Sequence, residues 1–253
     1  MASDGLAQAL QALPPDWRGH YFDVADSTQD EARAAARLGA PSRSIFVADY
    51  QRAGRGRHGR LWLAGPGDAL MLSIIFRERA TPPIPWRWTS LASVALVEAF
   101  QELLPTLAPA IKWPNDVLLD DRKVAGILAE TTSDGQQLVA VVGIGVNVNS
   151  AASSLATVGS PATSLRIAAG RPVDRGRLLV TFLRRMNTWY ARPWPELHAA
   201  WQARLWGRGQ RLRLLDLGRE EEVVVLGAEL DGSLRVRLAD GSEHHTTTGE
   251  LIL

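Results

Sequence analysis

Apolar residues in this chain fall into short strand-length bursts and longer helix-length stretches, separated by Gly, Pro and charged clusters. Tyr21–Ala25 reads as an edge strand, and Asp26-Ser27-Thr28 leads into a helix over Gln29–Leu38 that Gly39 and Pro41 stop. Ser27 with Asp30, or Thr28 with Glu31, has capping-box spacing. Strands are predicted at Ser44–Asp49 and Ala69–Phe76, on either side of a Gly/Arg run. The stretch TPPIPWRW, residues 81–88, reads as a Pro-punctuated loop, and Ser90–Leu104 as a buried helix. Ile111–Trp113 and Lys123–Thr131 read as strands joined by the polar turn DVLLDDR, and Leu138–Asn149 is apolar enough for burial on both faces. The signal weakens between Ala151 and Gly170, after which Val173–Tyr190 and Pro195–Leu205 read as helices. Strands mixed with helices, without a regular βαβ beat, indicate the α+β class, a mixed sheet with helices.

Near Gly207 the character changes. Arg211–Leu215, Glu222–Leu226, Leu234–Leu238 and Glu250–Leu253 are short strand candidates parted by LGRE and by Asp-Gly turns at 231–232 and 240–241. The expected organisation is therefore a main domain at 1–206 and a small all-β module at 207–253.

Composition narrows the function classes. At 253 residues, 46% hydrophobic and 22% charged, the chain is of ordinary globular type, long enough for a sizeable core. The net charge of +1 confines any nucleic-acid footprint to a local patch. There is no Cys, which removes disulfides, cysteine-zinc sites, iron–sulfur clusters and cysteine nucleophiles together. The N-terminus lacks a signal-peptide pattern, and the longest apolar run, Leu138 to Val146, falls far short of the roughly 18–20 residues that span a bilayer, so a soluble, cytoplasmic protein without membrane partners is expected. Of 28 basic residues only Lys112 and Lys123 are lysines, which makes their nearness to each other informative.

Three segments carry candidate chemistry. Gly54-Arg55-Gly56-Arg57-His58-Gly59-Arg60 combines glycines, which allow close backbone approach, with guanidiniums that clamp carboxylate and phosphoryl oxygens. It suits a mobile anion-embracing loop, and is open to reading as a solvated basic turn or an RNA-binding tract. It is neither a P-loop nor a dinucleotide fingerprint, since the Gly-Lys-Ser/Thr ending and the glycine spacing are absent. In Lys112-Trp113-Pro114-Asn115-Asp116, Pro114 ends a strand and leaves an amide and a carboxylate at its tip for a ribose, a base or a phosphate-bound metal, with Lys123 opening the next strand; an exposed hairpin is the plainer alternative. Gly143-Ile144-Gly145-Val146-Asn147 ends a buried strand, where glycines either clear room for a flat ligand or accommodate packing.

Taken in order, Asp26-Ser27-Thr28-Gln29, GRGRHGR, KWPNDVLLDDRKVAGILAE and GIGVNVN resemble the biotin protein ligases, over nearly the whole chain from Tyr21 to Leu253. The resemblance implies that Ser27, Thr28 and Gln51 hydrogen-bond the ureido ring of biotin. It makes Gly54–Arg60 a loop that folds over an adenylate, with Gly54, Arg55, Arg57 and Arg60 among the residues that bind it and Arg57 on the carboxyl and phosphate oxygens. Lys123 would hold the biotin carboxylate and the α-phosphoryl group, so that Arg57 and Lys123 carry the catalysis. Gly126, Gly143 and Gly145 would line the pocket with backbone, Trp62 would form an aromatic wall near adenine, and Lys112, Asn115, Asp116 and Asn147 would attend the nucleotide, with Asp116 on Mg²⁺. Two positions depart from the family pattern: Gln29 stands for Asn and keeps a capping or supporting amide, and His58 stands for Arg and weakens any phosphate contact there.

The implied cofactors are biotin, ATP and Mg²⁺, and the implied reaction forms biotinyl-5′-AMP and then passes biotin to a lysine of a biotin carboxyl carrier protein or domain of a carboxylase. Some twenty residues before the first strand are too few for the DNA-binding domain of the family's repressors, so the ligase without DNA binding is expected, with a small SH3-like β-barrel at the C-terminus. A homodimer through a sheet edge is the expected assembly. Lipoate–protein ligase, which shares the adenylation logic, is the alternative within enzymes.

Overall fold

Period-two alternation sorts the side chains of one large sheet onto two faces, and the two faces do different work. The computed structural model describes residues 5–78, 86–133, 137–156 and 160–252. Helix α1 (Leu6–Gln11) precedes β1 (Arg18–Ala25), α2 (Thr28–Arg37), β2 (Ser44–Gln51) and β3 (Ala69–Glu78). Helix α3 (Trp86–Leu103) is followed by β4 (Ala110–Lys112), β5 (Asp116–Leu119), β6 (Arg122–Ser133) and β7 (Leu138–Asn147). Helices α4 (Ala152–Leu155), α5 (Leu165–Ala169), α6 (Arg175–Tyr190) and α7 (Trp194–Gln202) lead to β8 (Arg211–Asp216), β9 (Arg219–Ala228), β10 (Leu234–Arg237), β11 (Glu243–Thr246) and β12 (Glu250–Ile252).

The large sheet has the order β1-β2-β3-β7-β6-β5-β4, with β1 and β2 parallel and every other pair antiparallel, which is the mixed sheet expected. Ile45 and Val47 of β2, Leu72 and Ile74 of β3, and Val142 and Ile144 of β7 point into the main core, which also holds the buried faces of α3 and α6. Helix α3 is buried almost all round, from Trp88 to Phe100, as an apolar helix enclosed by other elements should be. The opposite parity, Phe46, Ile75, Val139 and Val141, packs on Ala32 of α2 in a smaller second core. That helix covers only part of its face, and the uncovered part becomes the site.

Several sequence expectations are corrected. DVLLDDR is not a turn: Val117, Leu118 and Leu119 are buried in β5, and only Asp120 and Asp121 turn, at φ 49° and 59°, as a two-residue hairpin needs. Three adjacent apolar side chains outweigh the flanking acids there. Trp86–Trp88, read as loop, opens α3, while 81–85 of that loop lie outside the described residues, as does Leu253. The sequence pattern does not show helices α1, α4 and α5 or strand β11, the last because Glu243–Thr246 is polar and exposed except for Thr246.

The C-terminal strands form a five-stranded antiparallel sheet, β11-β10-β9-β8-β12. Among the described residues no ladder joins β11 to β12, so this sheet is open. It docks firmly. Ile111 N donates to Arg204 O and Trp206 N to Ile111 O, both at 2.8 Å, so the chain entering the module caps the edge of β4. Trp113 is fully buried and donates Nε1–H to Gly232 O at 3.0 Å. Gln202 of α7 closes both backbone groups of Ala228, at 2.9 and 3.0 Å.

Candidate active site

Register builds the floor of the site. Gly126 of β6 pairs with Gly145 of β7, and Gly143 of β7 with Ser73 of β3, so small residues of one parity meet on the face that α2 leaves open. Three side chains lie on this bare backbone. A Cβ at Gly145 would come 2.5 Å from Trp62 Cε2, one at Gly126 3.0 Å from Lys123 Cε, and one at Gly143 2.5 Å from Gln29 Oε1. Glycine here serves close approach.

The Gly/Arg run forms a small hairpin at the rim. Trp62 N donates to Gly54 O at 2.9 Å and Gly56 N to Arg60 O at 2.8 Å, and a single 3-10 turn at Arg57–Gly59 makes the tip, with His58 at φ 56°. A Cβ at Gly54 would lie 2.6 Å from Trp62 O, which excludes any side chain at that position. A cavity of about 620 Å³ opens against the hairpin, lined by Arg55, Arg57, Arg60, Leu61, Leu128 and Glu130 among others, a size that suits a small ligand.

Charges converge near the hairpin, with Arg57 in the lining of the cavity. Arg57 donates to Asn115 Oδ1 at 3.0 Å, and Asn115 is itself locked to β6, its Nδ2 donating to Ile127 O at 2.8 Å and its carbonyl accepting from Ile127 N at 2.9 Å. Burial pulls the Arg57 guanidinium below its ordinary pKa, against the pull of Asp116 and Glu250. Lys123 Nζ stands 2.6 Å from Oδ1 of the buried Asp116 and 6.0 Å above the Trp62 ring. Lys112 Nζ and both terminal nitrogens of Arg60 meet the carboxylate of Glu250, at 3.2 and 3.3 Å. Arg55 points elsewhere: it pairs with Asp30 on α2 at 2.8 Å and is exposed.

The other end is neutral and polar. The capping box does not form: Ser27 is the N-cap in extended conformation but its Oγ makes no cap bond, and Thr28 N donates instead to Gln51 Oε1 at 2.6 Å. Thr28 Oγ1 lies 3.0 Å from Ser73 Oγ, which donates to Gln29 Oε1 at 3.0 Å; Gln29 Nε2 then reaches Glu130 at 2.8 Å and Val141 O at 3.2 Å. Gln29 is thus a supporting strut, as expected. Ser27 Oγ and Trp62 Nε1 are buried with no partner among the described residues, an arrangement that costs about 1–3 kcal/mol per group unless a ligand completes it. Asn147 donates to Thr163 O at 3.1 Å and so holds the segment that pairs with the Lys123 backbone.

The site therefore brings together Ser27, Thr28, Gln51, Gly54, Arg57, Trp62, Asn115, Asp116, Lys123, Gly126, Gly143 and Gly145, with Arg60 and Lys112 joined through Glu250. Four participants escaped sequence reasoning: Asp30, Ser73, Glu130 and Glu250. Glu130 closes the KWPNDVLLDDRKVAGILAE stretch and Asp30 has capping-box spacing from Ser27, but nothing local assigns either to the site; Ser73 and Glu250 stand outside the motifs, and only tertiary packing brings the four together.

This is the architecture of an enzyme that activates a small acid on a nucleotide. The chain belongs to the Biotin/lipoate A/B protein ligase family, whose profile matches residues 21–149. Within that family it falls among the biotin protein ligases. It is 33% identical over 231 residues to the bifunctional ligase/repressor BirA of Bacillus subtilis, covering 87% of this chain and 70% of that one. It is 34% identical over 223 residues to the biotin–[acetyl-CoA-carboxylase] ligase of Mycobacterium tuberculosis, covering 85% and 80%. The biotin protein ligase of Aquifex aeolicus in complex with biotin and ATP shares the fold, with a TM-score of 0.76, 24% identity and coverage of 92% and 97%.

Proposed function

We infer that this protein is an ATP-dependent, AMP-forming biotin protein ligase, which activates biotin to biotinyl-5′-AMP and transfers it to a lysine of a biotin carboxyl carrier protein or domain. The observation that carries this reading is the two-ended cleft over bare backbone: an unpaired buried Ser27 hydroxyl at one end, Lys123 and Arg57 at the other. A neutral heterocycle bearing a carboxylate tail matches that polarity. Ser27, Thr28 and Gln51 face the ureido ring, Gly126, Gly143 and Gly145 make room for the Lys123, Gln29 and Trp62 side chains that shape the pocket, and Trp62 walls the adenine side.

In the first step a biotin carboxylate oxygen attacks the α-phosphorus of ATP, forming the new O–P bond as pyrophosphate leaves. Two anions must meet, so the task is electrostatic, and Lys123 and Arg57 supply fixed positive charge where it is needed. Arg55, Arg60 and Lys112 add to the field, while Asn115 orients Arg57. In the second step a neutral lysine amine attacks the acyl carbon and AMP departs. No nucleophile from this chain is required, and the Gly54–Arg60 hairpin keeps water from the mixed anhydride.

Mg²⁺ fits as a companion of the nucleotide. Among the described residues no group of three or more His, Asp or Glu could cage an ion, but Mg²⁺ commonly uses one or two carboxylates plus phosphate oxygens, and Asp116 offers a buried carboxylate beside Lys123. Bound there, the ion would neutralise phosphate charge; Asn147 braces the segment next to it.

We read the five-stranded sheet as the family's SH3-like module, at residues 207–253 after a catalytic domain at 1–206, in an open form among the described residues. No described helix is long and apolar enough to cross a membrane, and we place the reaction in the cytoplasm, where ATP and carrier proteins meet. A net charge of +1 supports no DNA role, and β1, at the sheet edge with Tyr21 and Val24 exposed, is the face we assign to a homodimer. Incubation with α-labelled ATP and biotin or lipoate, followed by thin-layer chromatography, tests the activity. We expect an acyl-adenylate with biotin; one with lipoate alone overturns the assignment.

A further inference from the structure

We infer that Glu250 is a positioning residue: through its carboxylate the C-terminal sheet latches the Gly54–Arg60 hairpin in its closed place. The inference rests on the ligase reading for its activity measurements and on geometry alone for the rest. Glu250 lies on β12, the edge strand that among the described residues pairs only with β8. Its Oε2 accepts from both Nη1 and Nη2 of Arg60 at 3.3 Å, and its Oε1 from Lys112 Nζ at 3.2 Å. One carboxylate thereby ties together the hairpin, the large sheet and the small one.

The tie reaches the reacting end of the cleft by short steps. Arg60 N donates to Arg57 O at 3.1 Å and Arg60 O accepts from Gly56 N, so holding Arg60 holds the backbone that carries Arg57. Lys112 is paired in register with Asp116, the partner of Lys123. The Arg60 side chain is 67% exposed, and among the described residues Glu250 is the only anion that pairs with it. Without Glu250 the guanidinium is left in water and the hairpin keeps its two other side-chain ties, Arg55 on Asp30 and Arg57 on Asn115. Two cations share one carboxylate, so the latch leaves a positive excess facing the cleft. Attraction to Lys112 and Arg60 outweighs the effect of burial and holds the Glu250 carboxyl below its ordinary pKa, so the latch is charged at neutral pH.

Two measurements test this. Limited trypsin digestion of the full, ligand-free chain reports hairpin opening, because the hairpin is rich in arginine. Glu250→Gln, which keeps shape and removes charge, should speed cleavage within residues 54–60 roughly fivefold, as loss of a partly screened ion pair predicts for a local opening. With biotin and ATP, Glu250→Gln and Arg60→Gln should each shorten the lifetime of the bound acyl-adenylate, and the double variant should be no shorter-lived than the worse single one. Melting curves show whether each variant folds; should Glu250→Gln not fold, Arg60→Gln and Lys112→Gln carry the lifetime comparison. Unchanged digestion with Glu250→Gln, or additive losses in lifetime, would overturn the latch. If the wild-type chain forms no acyl-adenylate, the functional reading fails while the digestion still decides the latch.

Discussion

Lys123 and Gly145 show how much a single position can decide. Lys123 lies along the Gly126 backbone, against the Asp116 carboxylate and above the Trp62 ring, so its ammonium is held by three neighbours. Lys123→Ala removes the charge from a half-buried position on a strand whose packing it does not fill. We expect adenylate formation to fall about a hundredfold or more, the scale of losing one preorganised charge contact, with the fold kept but the melting temperature lowered because the buried Asp116 carboxylate loses its partner. A labelled-ATP assay on the purified variant checks this, and an unaltered rate refutes the role. Gly145→Val is the complementary case. A β-branched side chain there meets the Trp62 ring at 2.5 Å, and Trp62 cannot retreat while its backbone is bonded to Gly54. The variant should fold, since Val suits a strand, but should lose biotin binding by about tenfold or more in calorimetry, as overpacking by one side chain costs about 1–3 kcal/mol.

The Gly54–Arg60 hairpin and the first turn of α2 are where local signals and tertiary demands meet. The composition of the hairpin foretold an anion loop, and its three arginines do share it, but they divide the labour: Arg55 and Arg60 strap the two arms while Arg57 enters the cleft. Nothing in GRGRHGR distinguishes the three, because the difference lies in Asp30, Glu250 and Asn115, which come from other elements. At α2 the capping-box spacing is real but unused: Asp30 N donates to the Ser27 backbone carbonyl and Thr28 N to Gln51 Oε1, which leaves Ser27 Oγ without a partner among the described residues. Arg57→Gly removes the inward guanidinium and adds flexibility at the tip. We expect biotinyl-AMP to escape and label lysines on unrelated proteins, seen as a ladder on a streptavidin blot. Labelling still confined to the carrier would remove Arg57 from the retention role.

Docking of the five-stranded sheet is a property of the whole chain. Leu212, Val225, Leu234 and Leu251 belong to the same continuous core as Trp113 and Trp201, and both tryptophans are fully buried. A chain ended after Leu205 would expose part of that surface. Burying one large apolar side chain is worth about 1.5–3 kcal/mol, and exposing several approaches the 5–15 kcal/mol that holds a typical domain together. We expect the truncated chain to unfold at markedly lower urea concentration by circular dichroism, and to lose both half-reactions because Glu250 goes with it. A truncation that stays well folded and fully active would make the module a passive appendage.

The sequence alone determined what depends on neighbours along the chain: most of the longer strands and helices, the breaks at Gly39 and Pro41, the change of character near Gly207, and the motifs around Arg57, Lys123 and Gly145. Those signals are local, written in period, turn chemistry and residue type. The tertiary structure decided what depends on neighbours across space. It placed three buried apolar residues of DVLLDDR in a strand, gave Gln29 its strut to Ser73 and Glu130, turned Arg55 outward, and set Glu250 against a loop 190 residues away in the chain. Such contacts come from strand register and sheet packing, whose pairings no short window of residues encodes. Side chains of one type, three arginines in seven positions, therefore acquire different tasks only once the fold has chosen their partners.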